Sequence, residues 1–121
     1  MFGQREKPPA LDRRRSLAGV PVLNEGVAVS DAAPGRVNVT VRVARGRGWL
    51  ARFQPAVMER TVKLDELGTF VFRQIDGQQP VEAIVEQFLA QYRTNRREGE
   101  LSTVAFLKSL AERGVISIAI R

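Results

Sequence analysis

The 121-residue sequence contains no cysteine and no histidine. The first absence excludes a disulfide scaffold, a zinc finger and a thiol nucleophile. The second excludes an imidazole base and the commonest metal ligand. No apolar run approaches the roughly 20 residues of a membrane span. Residues 1–15 carry charge and two prolines where a secretory signal needs an apolar core. No glycine-rich phosphate loop of the Walker or dinucleotide type occurs. Catalysis is left with scattered carboxylates, lysines and hydroxyls. Asp65 and Glu66 are adjacent and so point apart on a helix. These exclusions lead to the expectation of a cytoplasmic, non-catalytic binding protein with no metal, cofactor or membrane segment.

What is present suits one small domain. Hydrophobic residues make up 44% and charged residues 26%, enough of each for a core and a soluble surface. The net charge of +6 is uneven. Residues 1–60 hold 11 Lys and Arg against 5 Asp and Glu, whereas residues 61–121 hold 8 of each. Three basic clusters stand out: Arg13-Arg14-Arg15, then Arg45, Arg47 and Arg52, then Arg93, Arg96 and Arg97. Such clusters either attract an anionic partner or only keep the surface solvated.

Residues 1–19, with Pro8-Pro9 and no apolar period, read as a mobile basic arm. The folded domain is expected over residues 20–121, with an inserted segment at about 45–57. Val27 and Val29 alternate with small residues, and Val37, Val39, Val41 and Val43 alternate with Asn38, Thr40 and Arg42. Period two with branched side chains predicts an antiparallel hairpin. A third strand is expected over residues 58–64, with Met58, Arg60, Val62 and Leu64 on one side.

The period then becomes helical. Asp65 caps a first helix whose core face is Leu67, Phe70, Val71 and Ile75, ending at Asp76-Gly77. Pro80 opens a second helix carrying Val81, Ile84, Val85, Phe88, Leu89 and Tyr92 on one stripe. Residues 94–99 read as a polar connection, and a third helix as about residues 100–113, stopped by Gly114. Residues 115–120 read as a short final strand. The third helix presents Val104, Phe106, Leu107, Leu110 and Ala111 on a wide face, with Leu101 and Ala105 outside it. It is therefore apolar over more of its circumference than one core contact requires. Either it is wedged between two neighbours, or its second side floors a ligand groove. The fold class is α+β and winged helix-turn-helix-like: a three-stranded antiparallel sheet, three helices and a short C-terminal strand.

Residues 64–72 (Leu-Asp-Glu-Leu-Gly-Thr-Phe-Val-Phe), Ile75-Asp76-Gly77, Pro80-Val81-Glu82-Ala83-Ile84-Val85, Phe106-Leu107 with Leu110, and Arg113-Gly114-Val115-Ile116 together resemble the PqqD-like family. The resemblance covers about half the chain, residues 58–117. It implies a peptide-binding module, also called a RiPP recognition element. Such a module holds the leader segment of a precursor peptide and presents it to a modifying enzyme, often a radical SAM enzyme. The leader adds as a strand to the sheet edge, against the third helix, by β-augmentation. Carried onto this chain, the peptide-binding residues are Arg60, Val62 and Leu64 on the strand, and Leu101, Val104, Ala105 and Lys108 on the helix.

The sequence leaves two other readings open. One is a nucleic-acid-binding winged helix using basic loops, favoured by a pI of about 11.0. The third helix carries Glu100, Lys108, Glu112 and Arg113 and lacks a face suited to reading base edges. The other is a docking domain that works through Trp49, Leu50 and Phe53. An open sheet edge suits pairing with a second copy as well as with a leader, which leaves both a monomer and a homodimer open.

Overall fold

The computed structural model describes residues 15, 17–44 and 57–119. Most of the N-terminal arm and nearly all of the inserted segment, including Trp49, Leu50 and Phe53, lie outside the described residues. Strands β1 (Val20–Leu23), β2 (Val27–Ala33), β3 (Arg36–Ala44) and β4 (Val57–Lys63) come first. Helices α1 (Glu66–Arg73), α2 (Val81–Gln91) and α3 (Arg96–Glu112) follow, then strand β5 (Ile116–Ala119). The α+β, winged-helix-like order expected from the sequence is the one observed.

β2, β3 and β4 form an antiparallel sheet in that order. Its register explains the valine alternation. Val39 stands opposite Val29 and Val62, and Val41 opposite Val27 and Arg60, so one face of the sheet is apolar except for Arg60 at its exposed edge. The other face is polar: the Thr40 and Thr61 hydroxyls lie 3.3 Å apart, and Arg42 pairs with Glu59 at 3.1 Å. The apolar face lies on the helices, and Val37, Val39, Val41, Val62 and Leu64 join Val71, Ile84, Leu107 and Leu110 in one core.

The final strand forms as expected, but it pairs with β1, a strand that the sequence pattern did not signal. Asn24 locks this small second sheet. Its amide Nδ2 donates to the Gly114 carbonyl at 2.9 Å, and its Oδ1 accepts from the Ser117 hydroxyl at 2.6 Å. The backbone N–H of Val81, at the first position of α2, donates to the Gly19 carbonyl at 2.8 Å. The segment before β1 thus satisfies an otherwise orphaned helix donor.

Three helix boundaries and one core assignment differ from the sequence reading. α1 ends at Arg73 rather than at Asp76-Gly77. The Asp76 carboxylate accepts from the Gln79 and Gln78 amides at 2.8 and 2.9 Å, and this local turn competes with the helix. Those two amides also hold the Asp76 pKa below its ordinary value. Pro80 is the N-cap of α2, one residue before the position expected. α3 begins at Arg96, so residues 96–99 are helical and not a connection. Asn95 makes that start: its Oδ1 accepts from the Glu98 amide at 2.8 Å, and its Nδ2 reaches the Glu98 carboxylate at 3.2 Å. Finally, Leu67 is 46% exposed and is not on the core face of α1. The buried stripe of that helix is Gly68, Thr69, Val71 and Phe72.

The cap carries a prediction. Asn95→Ala removes the acceptor for the first turn of α3 and should lower the free energy of unfolding by about 1 kcal/mol in urea denaturation. A change near zero would show that this first turn frays in solution.

Candidate functional site

β4 is an edge strand, and the hydrogen-bond alternation fixes which of its backbone groups are open. The Leu64 N–H donates to the Val37 carbonyl at 3.1 Å, and on the far side of β3 the Arg42 N–H donates to the Gly26 carbonyl at 3.0 Å. In an antiparallel ladder successive residues face opposite neighbours. Arg60, Val62 and Leu64 therefore point their N–H and C=O groups at β3. Glu59, Thr61 and Lys63 point theirs away from it, with no partner strand among the described residues.

β4 ends at Lys63, and Asp65 caps α1 two residues later. The cap bond, from the Gly68 amide to Asp65 Oδ1, is 2.7 Å long. It draws the start of α1 beside the end of the open edge. A hollow of about 180 Å³ opens there, lined by Asp65, Leu67, Gly68 and Val71 of the α1 region, Phe88 of α2, and Ser102, Thr103 and Phe106 of α3. An adjoining hollow of about 580 Å³ shares Leu67, Phe88 and Ser102 and continues past Tyr92 and Leu101 to Glu98. Phe88 and Tyr92 in its lining pack with each other and with Phe70, ring centroids 5.0 to 6.5 Å apart. Gly68 is required in this wall: a Cβ there would stand 2.9 Å from the Phe106 ring and 3.1 Å from Asp65 Oδ1.

Of the residues singled out in the sequence, Arg60 is exposed at the strand edge. Val62 and Leu64 are 8% and 6% exposed and serve as the core behind the strand. Leu101 is 56% exposed and lines the larger hollow. Ala105 is exposed. Val104 and Lys108 are not brought to this groove; they line a separate cavity on the other flank of α3. Leu67, Ser102 and Phe106, which the groove does use, were not among the candidates. Phe106 had been placed on the core face by its helical spacing, and it is half-buried with its ring against Gly68.

The groove contains one polar anomaly. Thr103 is 1% exposed, and its hydroxyl has no hydrogen-bond partner. Buried polar groups are ordinarily paired, and leaving one unpaired costs about 1–3 kcal/mol. Among the described residues no group of three acidic side chains could hold a metal ion, and no helix is long and apolar enough to cross a membrane. The exposed residues of α3 are Arg96, Arg97, Glu98, Leu101, Ser102, Ala105, Lys108 and Glu112, with Arg96 paired to Glu86, a mixture of both signs and apolar groups rather than a basic face for a phosphate backbone.

An α+β, winged-helix-like domain with an open strand edge beside an apolar groove defines the class of protein. The model for coenzyme PQQ synthesis protein D (PqqD) matches residues 55–116, and the chain belongs to that family. The chain is also similar to a solved structure described as TbiB1 in complex with the TbiA(beta) leader peptide. The identity is 18%, the match covers 79% of this chain and 94% of that one, and the TM-score is 0.60, which shows a shared fold. No curated protein matches the chain.

Thr103→Val, nearly isosteric, should raise the free energy of unfolding by about 1 kcal/mol, because it deletes an unsatisfied buried hydroxyl. Loss of stability in thermal or urea melts would mean that the hydroxyl is satisfied in solution.

Proposed function

We propose that this chain is a non-catalytic peptide-recognition module, a RiPP recognition element, that holds the leader segment of a precursor peptide. The observation that carries this reading is the open β4 edge, which ends at Lys63, two residues before Asp65 in the lining of the groove between α1 and α3. The leader adds as a strand to β4, bonding to the N–H and C=O groups of Glu59, Thr61 and Lys63. These backbone bonds give affinity whatever the sequence, and selectivity comes from pockets for alternate side chains. Leu67, Phe106 and Leu101 receive the side chains that face the helices. Val62 and Leu64 hold the strand in place from the core, and Arg60 attracts an acidic side chain at the edge. The leader is thereby presented to a modifying enzyme, of the radical SAM or another peptide-modifying class. Family membership supports this, as does the shared fold with a protein whose structure was solved on a leader peptide.

The test uses a displayed library of random 12-residue peptides selected on the immobilised full chain. Enriched peptides should shift the backbone amides of Glu59, Thr61 and Lys63 in heteronuclear NMR and keep their affinity within about threefold between low and moderate salt. Thr61→Pro removes one outward N–H and no backbone bond to β3, only the exposed hydroxyl contact with Thr40, so it leaves the ladder intact. It should weaken binding at least tenfold. Unchanged affinity in this variant, with folding verified by the same spectra, would refute strand addition at β4. Steep salt dependence would point instead to an electrostatic site.

A further inference from the structure

The sequence shows an excess of apolar residues around α3, and the peptide groove uses only one flank of it. At 100° per residue, Ser102 and Phe106 lie on one side of the buried stripe formed by Thr103, Leu107 and Leu110. Val104, Lys108 and Ala111 lie on the other. There a second cavity of about 330 Å³ opens between α3, the start of α2, the end of β5 and the helical turn before β1. Val81, Val104, Ala111 and Ile118 wall it, and Leu107 floors it. Its charged lining residues are Arg15 and Lys108, both exposed, and no acidic residue lines it among those described. Neither cation makes an ion pair among the described residues.

We propose that this cavity is a second binding site, on the flank of α3 away from the peptide groove, and that it takes an acidic segment of a partner protein bearing an apolar anchor side chain. Size and charge both argue for that occupant. An apolar cavity of about 150 Å³ already stays dry and takes a benzene ring. One of twice that volume accommodates a large side chain, and apart from its two cations its lining side chains are all apolar. The two cations at its mouth complement carboxylates that flank the anchor, and they steer an acidic partner towards a chain whose net charge is +6. The leader on one flank of α3 and the acidic partner on the other would be held at once, separated by the thickness of one helix. The inference does not depend on the leader, because no residue of the peptide groove lines this cavity.

The test titrates the full-length, isotope-labelled chain with two acetylated eight-residue peptides, one alternating Glu-Glu with Leu-Leu and the other Lys-Lys with Leu-Leu. The acidic peptide should shift the signals of Val104, Ala111 and Ile118 and bind at least tenfold more tightly than the basic one. Lys108→Glu, an exposed substitution that leaves the core untouched, should weaken the acidic peptide at least fivefold, and Ala111→Trp, which fills the cavity, should abolish its binding. Thr61→Pro should leave it unchanged. Equal binding of the two peptides, shifts at Leu67 and Phe106 instead, or an unaltered affinity in Lys108→Glu would overturn the proposal.

Discussion

The arrangement depends on one buried junction where the sheet hands the chain to the helices. At the last rung of the β3–β4 ladder the Leu64 N–H bonds to the Val37 carbonyl, as a regular ladder requires. The return bond is not made by the Leu64 carbonyl. The Val37 N–H donates to the Thr69 hydroxyl of α1 at 3.1 Å, and Thr69 is 2% exposed. A helix side chain thus replaces the expected strand partner. The backbone donor stays satisfied although the strand has ended, and the chain is free to turn at Asp65 into α1. That substitution welds α1 to the sheet and draws its first turn beside the open end of β4. The bond adds a fixed polar anchor to the packing of Val71 and Phe72 against Val62 and Leu64 in the same core.

α3 is the second determinant. It packs so closely on α2 at Gly99 that a Cβ there would meet the Leu89 side chain, and its two flanks, with Phe106 on one and Val104 and Ala111 on the other, are only half-buried against the core. One flank, with Ser102 and Phe106, faces the α1 groove, and the other, with Val104 and Ala111, faces the cavity beside β5. The groove side is built at some cost, since it includes an unpaired buried hydroxyl at Thr103. Surfaces kept for a partner often retain such locally unfavourable features.

Much of the fold was legible because its signals are local. The valine alternation in β3, the Asp65 cap and the Gly114 stop each act within a few residues. Gly114, at φ 81°, closes the helix as its position suggests. β1 was not legible: it has four residues including a proline, and its partner β5 lies at the other end of the chain. The start of α3 was missed because Arg96, Arg97 and Glu98 have no apolar period, although Asn95 and Glu98 stand at capping-box spacing. The site was legible as a strand edge plus a helix, but not side chain by side chain. A helical wheel shows that α3 has surplus apolar surface; only the packing shows which flank meets α1. Leu67 was read as core because its spacing to Phe70 and Val71 suits a buried stripe, yet Thr69 is anchored to Val37 and turns that stripe away from it.

The central claim is that the free edge of β4 is the working surface, and amide hydrogen exchange measures it directly. In the free chain the amides of Thr61 and Lys63 should exchange fast, while those of Arg60 and Val62, bonded to β3, should be protected. Saturation with a library-selected peptide should slow Thr61 and Lys63 and leave Arg60 and Val62 as they were. Protection appearing instead at Val27, Val29 and Asp31 on the opposite edge, or at no strand amide, would contradict the account.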